Sequence, residues 1–132
     1  MTPVTKQEKG QSLVEFALLL PIFLLILVGI AEFGRGWMTK NMLTGAAREG
    51  ARFAAVQPSY NFTDIKDRVD SVLSGTGITP TVNVNLISGP PVNSVKVDVT
   101  YTYTVFVLNF IPGLLGPNIN LAGTATMRRE RY

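Results

Sequence analysis

The side chains of this sequence most able to do chemistry are carboxylates, and they stand in two places. Asp64, Asp67 and Asp70 recur every third residue and form the sequence's one carboxylate cluster. A calcium loop draws six to eight oxygen ligands in a different pattern, so the spacing predicts a solvated helix face instead. The second place is Glu15, alone at the edge of an apolar run. A carboxylate there is costly unless it lies at an interface or finds a partner. Ser12-Leu13-Val14-Glu15 has the form of a capping box, in which each side chain satisfies the other's amide. That local role does not exclude a second one in assembly. Neither cysteine nor histidine occurs among the 132 residues. Thiolate nucleophiles, disulfides, ordinary zinc sites and histidine acid–base work are therefore excluded. With no nucleophile–base pair and no phosphate loop either, the expectation is a protein that is not an enzyme, with no cofactor, metal or catalytic residue.

The elements that position these groups begin with an unusual composition. Apolar residues make up 46% and charged ones 16%, where about 25% charged is usual. The excess lies near the N-terminus. Phe16 to Ala31 carries no charge over 16 residues, slightly short of the roughly 20 that cross a bilayer core. Adding Leu13 and Val14 reaches that length and takes in Glu15. Pro21 inside the run cannot donate to the carbonyl of Ala17, which predicts a bend or an opened turn. Beyond Ala31 helical spacing continues through Phe33, Trp37, Leu43, Ala47, Ala51 and Ala54, with no proline before Pro58. A helix from about Ser12 to Val56 is about 67 Å long, twice a bilayer core, so half of it projects into water or an assembly. Gly34, Ala47, Gly50 and Ala51 give a small-residue face that lets a neighbouring helix approach closely. Trp37 suits an interfacial anchor.

Several of these stretches resemble a known family. Gly10-Gln11-Ser12-Leu13-Val14-Glu15-Phe16 looks like a prepilin processing site, with glutamate fifth after the glycine. Ala17-Leu18-Leu19-Leu20-Pro21, Phe33-Gly34-Arg35 and Ala46-Ala47-Arg48-Glu49-Gly50-Ala51-Arg52 closely resemble TadE-like proteins, pilin-like subunits of the tight-adherence (Tad, or Flp) pilus system. Ala125-Thr126-Met127-Arg128-Arg129-Glu130 is similar to the family's closing strand. The resemblance is dense over residues 10–56 and looser afterwards. It implies cleavage between Gly10 and Gln11 by a membrane prepilin peptidase, and a Glu15 that meets a neighbouring subunit's N-terminal amine. It also implies a minor pilin or pseudopilin of the bacterial inner membrane, single-pass, with its C-terminal domain outside the cytoplasm. The implied partners are the lipid bilayer, that peptidase, other Tad pilin-like subunits and inner-membrane assembly proteins. Positive-charge counting alone points the other way, since Lys6 and Lys9 precede the run while Arg35, Lys40, Arg48 and Arg52 follow it.

After Pro58 the sequence predicts a small α+β domain. Asn61 is placed to cap a short helix with Ile65, Val69, Val72 and Leu73 on one face, ended by Gly75-Thr76-Gly77. The period then changes to two. Val82, Val84 and Leu86 suggest one strand, and Val95 to Val105 alternate into the clearest strand of the chain. Ile119, Leu121, Gly123, Ala125 and Met127 suggest a third, in antiparallel hairpin order, its apolar face covered by the second helix or the upper part of the long one. The apolar segment Val105 to Leu115 is read as domain core, a membrane-surface dip or a subunit contact. Arg128, Arg129 and Arg131 read as a solvated end, and no wide basic surface indicates nucleic acid. The chain thus divides into a leader at 1–10, a long transmembrane and stalk helix at 11–57, and an extracytoplasmic domain at 58–132. The fold class is α+β: a long N-terminal helix of pilin type, a short second helix and a sheet of about three strands. Two alternatives stand beside the pilin reading, an unprocessed membrane-anchored binding module and an exported soluble protein cleaved near Ala31.

Overall fold

The computed structural model describes residues 6–57, 59, 61–87, 93–106 and 118–129. Within them the architecture is α+β in the order expected: α1 (Lys6–Val56), α2 (Phe62–Leu73), β1 (Thr81–Ile87), β2 (Ser94–Thr104) and β3 (Asn118–Arg128). The three strands form one antiparallel sheet in sequence order, with Val97 facing Val84 on one side and Ala125 on the other. Expectations for Pro58, Tyr60, 88–92, 107–117 and 130–132 fall outside the described residues.

At 1.5 Å per residue, the 51 residues of α1 extend about 76 Å. The helix starts at Lys6, six residues before Ser12, so Ser12 sits inside it and does not cap its N-terminus. The capping box fails for a simple reason: the polar residues ahead of Ser12 join the helix, and the Ser12 amide lies beyond the first turn. The helix also continues through Pro21 without interruption.

The upper part of α1 is the centre of the domain. Leu43, Ala46, Ala47, Ala51 and Ala54 are fully buried together with Ile65 and Val69 of α2 and Val95, Val97 and Val99 of β2. Burying each large aliphatic side chain contributes about 1.5–3 kcal/mol relative to leaving it in water, so this cluster is what holds the elements together. The small residues on α1 let both neighbours come close. A Cβ on Gly50 would lie 2.7 Å from Val69 Cγ2 of α2, and one on Gly123 would lie 2.6 Å from the Leu43 carbonyl oxygen. The helix ends at Val56, and its upper part packs into the core formed with α2 and the sheet.

Helix α2 is capped by Asn61, whose side chain accepts from the Thr63 amide at 3.4 Å. Gly75 and Gly77 follow with φ of 82° and 73°, the left-handed region that stops a helix cheaply only with glycine. Ile65, Val69 and Leu73 face the core, but Val72 is 43% exposed, against expectation. The contact with α1 is a narrow i, i+4, i+8 stripe, and Val72 falls on its flank. Similarly, the alternation of β1 buries Val82 and half-buries Val84 while Leu86 remains exposed. Helix α1 lies over β2 and β3, and α2 touches β1 only slightly, so the far end of this edge strand is uncovered.

Glu49 ties the two helices from outside the core. It accepts from Arg52 at 3.0 and 3.1 Å within α1 and from Arg68 Nε of α2 at 3.1 Å. The two guanidinium groups hold its carboxyl down to about 2 from the usual 4.5, hydrogen bonding to Arg52 being the largest cause. A carboxyl with a depressed folded-state pKa adds stability above its unfolded value and loses it as pH falls toward the folded one. Glu49→Gln should therefore lower the thermal midpoint at neutral pH and flatten its decline between pH 4.5 and 2. Melting curves of the full chain in detergent across that range test this, and parallel acid limbs in both proteins would reject it.

Candidate functional site

Two regions of α1 carry the residues singled out by sequence. The first is its apolar lower half. Gly10 is exposed in the helix with open space where a Cβ would stand, and Gln11 Nε2 donates to Glu15 Oε1 at 3.5 Å, a long bond between exposed groups. From Leu13 to Val28 the large apolar residues are all exposed, including Leu18 at 70%. Helix α1 therefore contains a stretch long and apolar enough to cross a membrane, none of which is buried within the chain. Because apolar groups surround this part on every side, water is the wrong solvent for it.

The expected packing face divides. Ala47, Gly50 and Ala51 are buried under α2 and the sheet of the same chain, whereas Gly34 is exposed with nothing near it. The structure so brings three of these residues together and leaves the fourth facing outward.

Between the two regions lies a group that sequence reasoning passed over. Glu32 is buried at the upper end of the uncharged run. Its Oε2 accepts from the Tyr103 hydroxyl at 3.1 Å and from the Phe106 amide at 3.4 Å, and its Oε1 accepts from Arg35 at 2.7 Å. The Arg35 guanidinium also lies 5.8 Å from the centre of the Tyr103 ring. Burial pushes the Tyr103 phenol pKa up, and its hydrogen bond to the Glu32 carboxylate adds to the rise, so it remains a donor at neutral pH. Among the described residues no buried side-chain nitrogen or oxygen lacks a partner. The cluster fixes the end of the sheet against α1 at the level where the apolar run stops. The available signal was a carboxylate at each end of an uncharged stretch, with an arginine three residues after the second. Its partners are 71 and 74 residues away and show no local period.

Beside this cluster is an open groove of ≈ 430 Å³ between α1 and the sheet. Gly29, Phe33, Gly36, Trp37 and Lys40 line one wall from a single helical face. Tyr103, Val105, Ile119 and Leu121 line the other. Phe33 and Trp37 stack with ring centres 6.2 Å apart and both are well exposed. Among the described residues no group of three acidic side chains is placed to hold a metal ion. Of the aspartates on α2, Asp70 pairs with Lys66 at 2.7 Å.

The lower and upper parts of α1 thus form one continuous unit with Glu32 at their junction. Compared with known families, residues 10–52 match the family described as TadE-like protein. Over those residues the chain is similar to TadE-like proteins. No match was found among characterised proteins or among solved structures. The TadE-like stretch begins at Gly10 and ends at Arg52, so it takes in the exposed span, Glu32 and the small residues under the sheet. Helix α2 and all three strands lie outside it. The family is pilus-associated and structural rather than catalytic, and the exposed apolar helix fits a membrane-anchored protein.

Proposed function

We propose that this TadE-like chain is a minor pilin or pseudopilin of a Tad pilus system. It is made as a precursor in the bacterial inner membrane, with the α2–sheet domain outside the cytoplasm. A prepilin peptidase cuts between Gly10 and Gln11. The mature subunit then acts by association, its lower helix packing among the helices of other pilin-like subunits and contributing to pilus biogenesis and adherence. In that packing Glu15 meets a neighbour's N-terminal amine, which offsets the cost of placing a carboxylate among apolar helices. Gly34, exposed above the span, offers a second place for close helix approach. The observation that carries this reading is the coincidence of the family match with the division of α1. Its upper half is committed to the chain's own core, and the large apolar side chains of its lower half are exposed among the described residues.

The test is the intact mass of the membrane-extracted chain, made with and without a matched prepilin peptidase. Loss of residues 1–10 only in the presence of the peptidase is the expected result, and Gly10→Val should abolish that loss. A full-length chain despite active peptidase favours an unprocessed anchored module and rejects the mechanism. A cut near Ala31 without the peptidase would point to an exported protein instead.

A further inference from the structure

The groove between α1 and the sheet lies at a definite depth relative to a bilayer. A hydrocarbon core of about 30 Å takes about 20 residues of helix. Centred on the uncharged residues Phe16–Ala31, that length ends close to Phe33. The headgroup layer above adds about 5–7 Å, or about three to five more residues, and ends close to Trp37. The stacked and exposed Phe33–Trp37 pair therefore falls in this layer, where amphipathic aromatic rings are favoured. The sheet is fastened to α1 at the same level, because Tyr103 and the Phe106 amide bind Glu32. Phe106 and Ile119, 58% and 45% exposed, thus stand at the membrane face of the domain. Lys40 lies on the groove wall one turn above Trp37, within reach of the phosphate plane for a side chain that snorkels.

We propose that this groove holds one phospholipid of the adjoining leaflet. The upper part of an acyl chain lies between the Phe33–Trp37 face and the Ile119 side of the sheet, and its phosphate meets the Lys40 ammonium. Apolar walls suit the chain, the cation at the rim suits the anion, and the groove continues directly from the exposed span. The domain accordingly rests on the bilayer surface instead of being lifted away from it. This inference rests on the reading of α1 as membrane-spanning.

Trp37 is the chain's one tryptophan, so it reports on the groove without labelling. The full chain is reconstituted into phosphatidylglycerol–phosphatidylcholine vesicles containing lipid brominated either near the headgroup or near the chain end. Expected is at least a halving of Trp37 emission by bromine near the headgroup, and clearly weaker quenching by bromine near the chain end. Native mass spectrometry should show one phospholipid retained after detergent exchange. Gly36→Leu separates the groove from general membrane exposure. It improves helix propensity, and a Cβ there comes no closer than 4.0 Å to any neighbour, Tyr103, while the longer side chain fills the groove. This variant should remain in the vesicles and lose the retained phospholipid, and Lys40→Gln should weaken the retention of phosphatidylglycerol. Blue-shifted but unquenched emission at every dilution would mean that the chain's own residues fill the groove, overturning the proposal. Such emission only at high protein density would mean that a second copy fills it, which overturns the proposal equally. A chain that stays in carbonate-washed vesicles but retains no lipid overturns the groove alone. A chain released by carbonate overturns the membrane-spanning reading with it.

Discussion

Gly123→Ala should destabilise the domain by about 3 kcal/mol or more, at the upper end of what overpacking costs. The added methyl would lie 2.6 Å from the Leu43 carbonyl oxygen and closer still to the Leu43 carbonyl carbon and the Thr44 nitrogen. All three are backbone atoms of α1, so no rotamer change can relieve the overlap. Strand and helix must separate, and separation opens the cluster formed by Leu43, Val97 and Val99 beneath them. For a domain of 60–100 residues, each kcal/mol lowers the melting midpoint by about 4–8 °C, so a fall of more than about 12 °C is expected. Gly45→Ala is the control. A Cβ there meets nothing within 4 Å, and alanine is favoured over glycine in a helix by up to about 1 kcal/mol. Its midpoint should rise slightly. Circular dichroism melts of both variants in the same detergent decide the matter. A Gly123→Ala protein that melts within a few degrees of the parent would mean that β3 does not approach the helix backbone this closely.

Position 123 also illustrates what the sequence made legible and what it did not. The strand through Ile119, Leu121, Ala125 and Met127 is readable from alternation, and a glycine within a strand hints at close backbone approach. Which backbone approaches depends on a helix about 80 positions earlier, and nothing local encodes it. The same division holds elsewhere. Val95, Val97 and Val99 alternate with polar residues and are buried as alternation requires. Val72 satisfies the helical period equally well and is exposed, because the width of the buried stripe depends on how α1 sits and not on α2 itself. Ser12 has a capping sequence, yet helix propensity continues ahead of it and removes the terminus it would cap. Helix α1 looked like one element from its apolar and small residues. Its division into an outward-facing lower half and an inward-facing upper half emerged only with the sheet in place, since alanine and glycine carry little periodic contrast.

Glu32 has the second large effect, and its physical origin differs. Glu32→Ala should cost about 2–3 kcal/mol, because it leaves the buried Tyr103 hydroxyl without its acceptor and removes the partner of the Phe106 amide. The ion pair with Arg35 adds little to this, since the guanidinium side is 65% exposed and such pairs contribute about 0–1 kcal/mol. Tyr103→Phe should cost less, about 1 kcal/mol, since Glu32 keeps Arg35 and the Phe106 amide. The double variant is the informative one. With hydroxyl and carboxylate both absent, no buried donor is stranded between them. Its cost should then fall below the sum of the single costs by about 1 kcal/mol. Denaturant titrations of the four proteins measure that coupling, and additive costs would show that Glu32 acts through another contact. Membrane extraction should not change in any of the four, because the uncharged run ends at Ala31 and none of these substitutions alters it. A variant that loses domain stability while keeping its membrane anchor would locate the role of Glu32. It joins the apolar run to the sheet, and so fixes how the domain is held relative to the helix that carries it.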